Sequence, residues 1–199
     1  MDAEFSIEMG REDPVLDFPW KDPSGRFAYC DLKRRPELMA SIEEADQFPE
    51  LAEFLRVVNS AASMVETAKC DVWATTELST DEDIYESSHK FASYVDIVLS
   101  EIDVRLSSLE QSLPIHERLA RQLVRLLRQA PEDQPETRAE VCVRRCYIGH
   151  DGAAQVGCYF TLYVSGYGND GESARRNWGA GLKLLGSAIL QLSDTSANS

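Results

Sequence analysis

The sequence predicts an α+β protein in two layers, with about three helices lying on one face of an antiparallel sheet of four to five strands and an extended N-terminal arm. Three observations lead there. Two β-rich runs, EVCVRRCYIG and VGCYFTLYVSG, flank Asp151-Gly152. Asp-Gly between such runs marks a two-residue hairpin, because glycine accepts the positive φ that a type I′ turn demands. Hairpins give antiparallel neighbours, and each helix that follows must cover an apolar face.

In chain order, residues 1–35 are rich in Asp, Pro and Gly, with prolines at 14, 19 and 23 that remove backbone donors and oppose helix. The large apolar residues Phe5, Leu16, Phe18, Trp20, Phe27 and Tyr29 imply that this arm lies on a surface, of its own chain or of a neighbouring subunit. Pro36 opens a short helix, and the arm is taken as residues 1–48. A core helix over roughly 50–68 follows from Leu51, Phe54, Leu55, Val58, Ala62 and Val65 at helical spacing. CDVWATTEL alternates as a half-buried strand, with Asp71, Trp73, Thr75 and Glu77 on one face. The acidic loop STDEDIYESSH separates it from KFASYVDIVL, where Phe91, Val95, Ile97 and Leu99 face inward.

Residues 101–112 read as strand and then turn. From Pro114 the period is helical, with Leu119, Leu123, Leu126 and Leu127 on one side and Arg118, Arg121, Arg125 and Arg128 on another. In the hairpin, a two-residue loop makes His150 face Ala153. Val141, Val143 and Tyr147 then share the core face with Val156, Cys158, Phe160, Leu162 and Val164. The last helix, from Glu172, places Trp178, Leu182, Leu185, Ile189 and Leu192 inward, and Gly179, Gly181 and Gly186 imply close approach to a neighbouring backbone. Residues 49–193 thus form one domain with a disordered tail at 194–199, and the repeated strand-strand-helix order hints at a duplication.

The net charge of −14 is concentrated in the front half: residues 1–110 carry net −15 and residues 111–199 net +1. Such a field repels phosphate backbones and favours basic partners, so no nucleic-acid partner is expected. The acidic amino terminus has no signal-peptide core and no stretch is long and apolar enough for a membrane, which implies a cytoplasmic protein without a membrane partner. Five cysteines, an odd number, fit reduced structural thiols. Cys142 and Cys146 would lie about 13 Å apart along a strand, too far to share a metal.

Gly166-Tyr167-Gly168-Asn169-Asp170-Gly171 matches G-x-G-x-x-G, but too little chain remains for the returning strand and ribose-binding acid of a dinucleotide site. It reads as a turn before a capped helix. A small-anion site at Arg175 and Arg176 is the surviving functional version. The arginine stripe reads as a solvated or internally paired face. Asp71, Glu77 and Asp96 share a face but lack a dense oxygen-ligand spacing, so no metal and no cofactor are expected. G-x-S-x-G, H-E-x-x-H and C-x-x-C are all absent, and His89, His116 and His150 are scattered.

What remains is the second face of the sheet, with Trp73, Tyr94, Asp96, Arg144, Tyr159 and Tyr163 as the ligand- or partner-binding residues. Tyr, Trp and Arg bury large area yet keep a polar tip. The order of elements is similar to that of type III secretion chaperones, a likeness that implies an acidic, partner-binding protein. The function expected is a non-enzymatic interaction protein, chaperone-like or immunity-like, that self-associates or binds a basic protein through the aromatic sheet face or the arm. The alternative is a small-ligand enzyme or sensor with a pocket on the open sheet face, Arg144 anchoring an anion beside Asp96.

Overall fold

The structure is a computed structural model that describes residues 1–80, 82, 86–101, 105, 108–129, 136–150 and 153–197. Strands β1 (Asp2–Glu8) and β2 (Leu16–Phe18) precede a 3-10 turn at Pro36–Ser41 and the helices α1 (Glu43–Gln47) and α2 (Pro49–Val58). Then come β3 (Val65–Thr75), β4 (His89–Leu99), α3 (Leu109–Arg128), β5 (Thr137–His150), β6 (Ala153–Gly168) and α4 (Gly171–Ala197).

The hairpin register is the expected one. His150 pairs with Ala153, Val141 with Leu162 and Val143 with Phe160; Asp151 and Gly152 themselves lie outside the described residues. The two hairpins join into one sheet in the order β1-β5-β6-β4-β3. The expected antiparallel sheet of four to five strands is instead a mixed sheet of six, because the arm supplies two strands. β1 and β2 both pair in parallel with β5, one along its first half and the other along its second. Ala3 is wholly buried in the core and Phe5 packs against it, while Glu4 and Glu8 face the other way beside Arg138 and Arg144.

Three further boundaries differ from expectation. The core helix stops at Val58, short of the expected 68, and β3 begins at Val65, five residues before the expected start at Cys70. Asn59 makes the break: its Nδ2 donates to Leu55 O at 2.8 Å and Thr67 Oγ1 at 2.9 Å, and its Oδ1 accepts from Thr67 N at 3.0 Å. One side chain thereby ends the helix and pins the strand. Helix α3 starts at Leu109, before Pro114, with the Ser108 N–H donating to the Gln111 side chain at 3.3 Å. The expected strand in the preceding segment falls largely on residues 102–104 and 106–107, outside the described residues. Tyr147, expected in the core, is 42% exposed because the hairpin end runs past the helices.

On the core face, Phe91, Val95, Ile97, Val141, Phe160 and Leu162 meet Leu51, Phe54, Leu119, Leu123, Leu182 and Leu185. Trp178 is fully buried, its indole N–H donating to Ser93 Oγ at 2.9 Å and its ring 4.8 Å from Phe91. Helix α4 sits directly on the β6 backbone: a Cβ on Gly166 would fall 2.5 Å from Ala174 O and 2.7 Å from Asn177 C, and one on Gly181 would fall 2.9 Å from Val164 Cγ1. The G-x-G portion of the motif is therefore a packing requirement of a strand under a helix.

The opposite face is not open. After β2 the chain crosses beneath the sheet from the β5 side to β3 as a strap. Leu16, Phe18, Trp20 and Tyr29 cover Ala68, Val98, Cys146, Ile148 and Tyr159 in a second apolar cluster. Buried Glu66 latches the strap, accepting from Tyr29 OH at 3.0 Å and pairing with Arg105 at 3.0 Å, while Lys33 Nζ donates to the carbonyls of Ser60, Ser63 and Val65 at 2.6–3.0 Å.

Gly166→Ala is expected to cost about 3 kcal/mol, the upper end for overpacking, because backbone and not a mobile side chain is in the way. Gly171→Ala, where a Cβ would meet nothing within 4 Å, is expected to change stability by under about 0.5 kcal/mol. Urea unfolding midpoints of the two variants check this.

Candidate functional site

All six residues singled out on the second face do lie on it, since β3, β4, β5 and β6 belong to one sheet in the register above. They do not form one open surface. Tyr159 is 2% exposed beneath the strap, and Arg144 and Asp96 are 7% and 6% exposed. Trp73, Tyr94 and Tyr163 stay partly accessible as a row, their ring centroids 6.5 Å and 6.2 Å apart in sequence along it.

A buried polar chain runs beneath that row. Arg144 Nε and Nη2 hold the Glu8 carboxylate at 2.8 and 2.7 Å, and its Nη1 donates to Thr161 Oγ1 at 2.9 Å and Tyr163 OH at 3.1 Å. Thr161 Oγ1 in turn donates to Asp96 Oδ1 at 2.7 Å. Four of its five N–H donors are thus engaged and the side chain is buried, so Arg144 offers an anion at most one donor. The N-terminal arm supplies Glu8, which no local sequence pattern ties to Arg144.

Glu8, Glu140 and Cys142 bring one ligand-type atom each within 4.8 Å of one another. Glu8 is taken by Arg144, and burial pushes the Cys142 thiol up to about 12, so hydrogen bonds account for this group without an ion. Asp71 accepts from the Val72 N–H at 2.8 Å, and Asp96 is deep under Thr161. At the start of α4, Arg175 makes a two-point pair with Glu50 at 3.0 and 2.9 Å, Arg176 is exposed, and the Asp170 carboxylate accepts from Ser173 N at 2.7 Å. Of the arginine stripe, Arg121 pairs with Glu117 and lies over Phe5, and Arg128 donates to Ala3 O at 2.7 Å.

A concavity lies beside the outer edge of β3. It is a groove of about 700 Å³ between the strap, the 3-10 turn with α1, and β3 residues 67–71. Its aromatic residues are Trp20, Phe27, Tyr29 and Tyr94; Leu38 and Ile42 extend the apolar lining. Four acids, Asp22, Glu43, Glu44 and Asp71, line it against two bases, Arg26 and Lys69, and Arg26 pairs with Glu43 at 3.3 Å. Of the expected site residues only Tyr94 reaches it.

β3 is the last strand of the sheet, and its outer edge is capped by other parts of the chain in its first half. There Lys33 meets Val65 O, Asn59 meets Thr67 N, and the Trp20 indole N–H donates to Ala68 O at 2.5 Å. Among the described residues, no strand pairs with the outer edge of residues 69–75. No helix among the described residues is long and apolar enough to cross a membrane. No protein-family model, curated protein or solved structure matches the chain.

Two buried titratable groups pull stability in opposite directions. Burial pushes Asp96 up from 3.8 to about 6, so the folded state keeps a proton that the unfolded chain has released, and stability falls as pH rises from about 4 to about 6. Burial pushes His116 down from 6.5 to about 4. Its Nδ1 is 2.8 Å from Ser112 O, and Nε2 is buried with no partner, so charging the ring would bury an unsatisfied N–H. Stability from His116 is therefore complete above about pH 6.5 and is lost as pH falls toward about 4. Each effect is worth about 3 kcal/mol, and they offset each other. Relative to wild type, Asp96→Asn is expected to lose stability on acidification from pH 6.5 to 4.5, and His116→Leu to gain it. Urea midpoints at the two pH values check the signs, and an Asp96→Asn curve parallel to wild type would contradict them.

Proposed function

We propose that the chain is a non-enzymatic binding protein whose contact surface is the groove beside β3, and that the partner presents an extended, basic segment with apolar side chains. The observation that carries this is the coincidence of a groove lined by aromatic and acidic side chains with a terminal strand whose residues 69–75 pair with no further strand among the described residues. Extended segments bind such edges by main-chain hydrogen bonds, with alternate side chains entering adjacent pockets. The front half's net charge of −15 favours a basic segment and raises its association rate.

The groove also supports placing the contact at the β3 edge in preference to the aromatic face as a whole, because the strap and the Glu8–Arg144–Thr161–Asp96 chain fill much of that face. A second copy is a poorer occupant of the edge than a basic partner: two chains of charge −14 would bring Asp71 and Glu77 near their like. The small-ligand reading is weaker, since Arg144 is buried and four of its five N–H donors go to Glu8, Thr161 and Tyr163.

The test is a titration with a labelled octapeptide alternating lysine and valine, beside a counterpart alternating glutamate and valine. The basic peptide is expected to bind, more weakly as salt rises, and the paired substitution Glu44→Lys with Asp71→Lys to weaken it at least about tenfold, the loss of two close charge contacts. Equal binding of the two peptides, or none of the basic one, would overturn the proposal. Light scattering of the free protein over a concentration series distinguishes self-association, and a dimer abolished by the same two substitutions would assign the edge to a second copy instead.

A further inference from the structure

Within the groove, Arg26 lies over Phe27, and a second cation sits on two further rings. Lys69 Nζ lies 5.5 Å from the centroid of Trp20 and 5.5 Å from that of Tyr94, within the range over which an ammonium is attracted to a ring face. The rings are held in place without it. Trp20 is fixed by its hydrogen bond to Ala68 O, and Tyr94 stands between Trp73 and Tyr163. Lys69 is exposed on the edge strand, directly beyond the β-bulge and opposite Asp96, whose carboxyl feels its charge without an ion pair to it among the described residues. Its long stem can swing to water with little loss. Asp71 and Glu44 line the same groove and favour positive charge there.

We propose that the Trp20–Tyr94 pair is a receptor for a cationic side chain of the bound segment, and that Lys69 fills it in the free protein as an internal stand-in which the partner displaces. This rests on the groove being the binding surface, and it specifies what that surface selects: an ammonium or guanidinium group placed between two rings fixed in advance. The stand-in also sets a threshold, because a partner gains only the difference between its own cation and Lys69.

The readout is the indole N–H resonance of Trp20, identified by its absence in Trp20→Phe, followed on titration with tetramethylammonium chloride against sodium chloride at equal ionic strength, and then with the alternating lysine-valine octapeptide. Lys69→Ala is expected to bind both probes roughly two- to fivefold more tightly than wild type, as removal of one exposed cation–π competitor allows. Lys21→Ala removes the same charge from the strap off the rings and is expected to change affinity by less. No gain in Lys69→Ala, or an equal gain in Lys21→Ala, would overturn the receptor. If tetramethylammonium behaves as stated but the octapeptide does not bind, the receptor stands and the extended basic partner falls. If the octapeptide binds without a gain from Lys69→Ala, the groove stands and the receptor falls.

Discussion

The constraint on which the rest depends is the pairing of β5 with β6 across a two-residue connection. Side chains alternate along a strand, so a slip of one residue would send Val141, Val143, Phe160 and Leu162 to the strap and Cys142, Arg144, Tyr159 and Thr161 to the helices. The observed register puts the aliphatic set under α3 and α4 and the polar, aromatic set on the other side. It also exposes the outer edge of β5 over its whole length, and that edge is the template on which β1 and β2 assemble in parallel. Gly166 and Gly168 then let α4 lie against the β6 backbone, close enough for Trp178 to reach Ser93 across the core.

Closing the second face brings charged groups out of water, and the sequence meets that cost by linking them. Glu8, Arg144, Thr161 and Asp96 form one hydrogen-bonded chain across three strands and the arm, and under the strap Glu66 accepts a hydrogen bond from Tyr29 and makes an ion pair with Arg105. Buried ion pairs stabilise little against apolar replacements, but breaking one leaves a charge uncompensated. Their effect here is positional: they fix where the arm crosses, and that path creates the groove. Residues 20–30 form one wall, residues 38–44 the other, and the β3 edge the floor.

Much of this was legible in the chain. The Asp-Gly turn gave both strands and their register, helical spacing placed the buried side of α4, and the aromatics of the arm implied a surface beneath them. The alternation of Ala3, Phe5 and Ile7 with Glu4, Ser6 and Glu8 is also a strand signature, masked by its acidity and by the Pro-rich stretch that follows. What local pattern could not supply is which edge a lone strand joins: parallel pairing of β1 with β5 spans more than a hundred residues and fixes no short turn. The groove was hidden for the same reason, since its lining comes from residues 20–44, 55, 67–71 and 94, brought together by the strap. The helix stop at Asn59 depended on a partner, Thr67, that belongs to the next strand.

Native-state thiol labelling tests most directly that both sheet faces are covered as described. Cys158 lies under the helices, Cys142 and Cys146 lie on the second face, and Cys30 is partly exposed on the strap. Burial pushes Cys142 and Cys146 up to about 12, which slows their reaction further because the thiolate is the nucleophile. With maleimide followed by peptide mass mapping, Cys30 should be modified first, and Cys142, Cys146 and Cys158 should become reactive only on unfolding. Modification of Cys142 or Cys146 in the native protein at a rate like that of Cys30 would mean that the arm does not close the second face, and the groove it builds would fall with it.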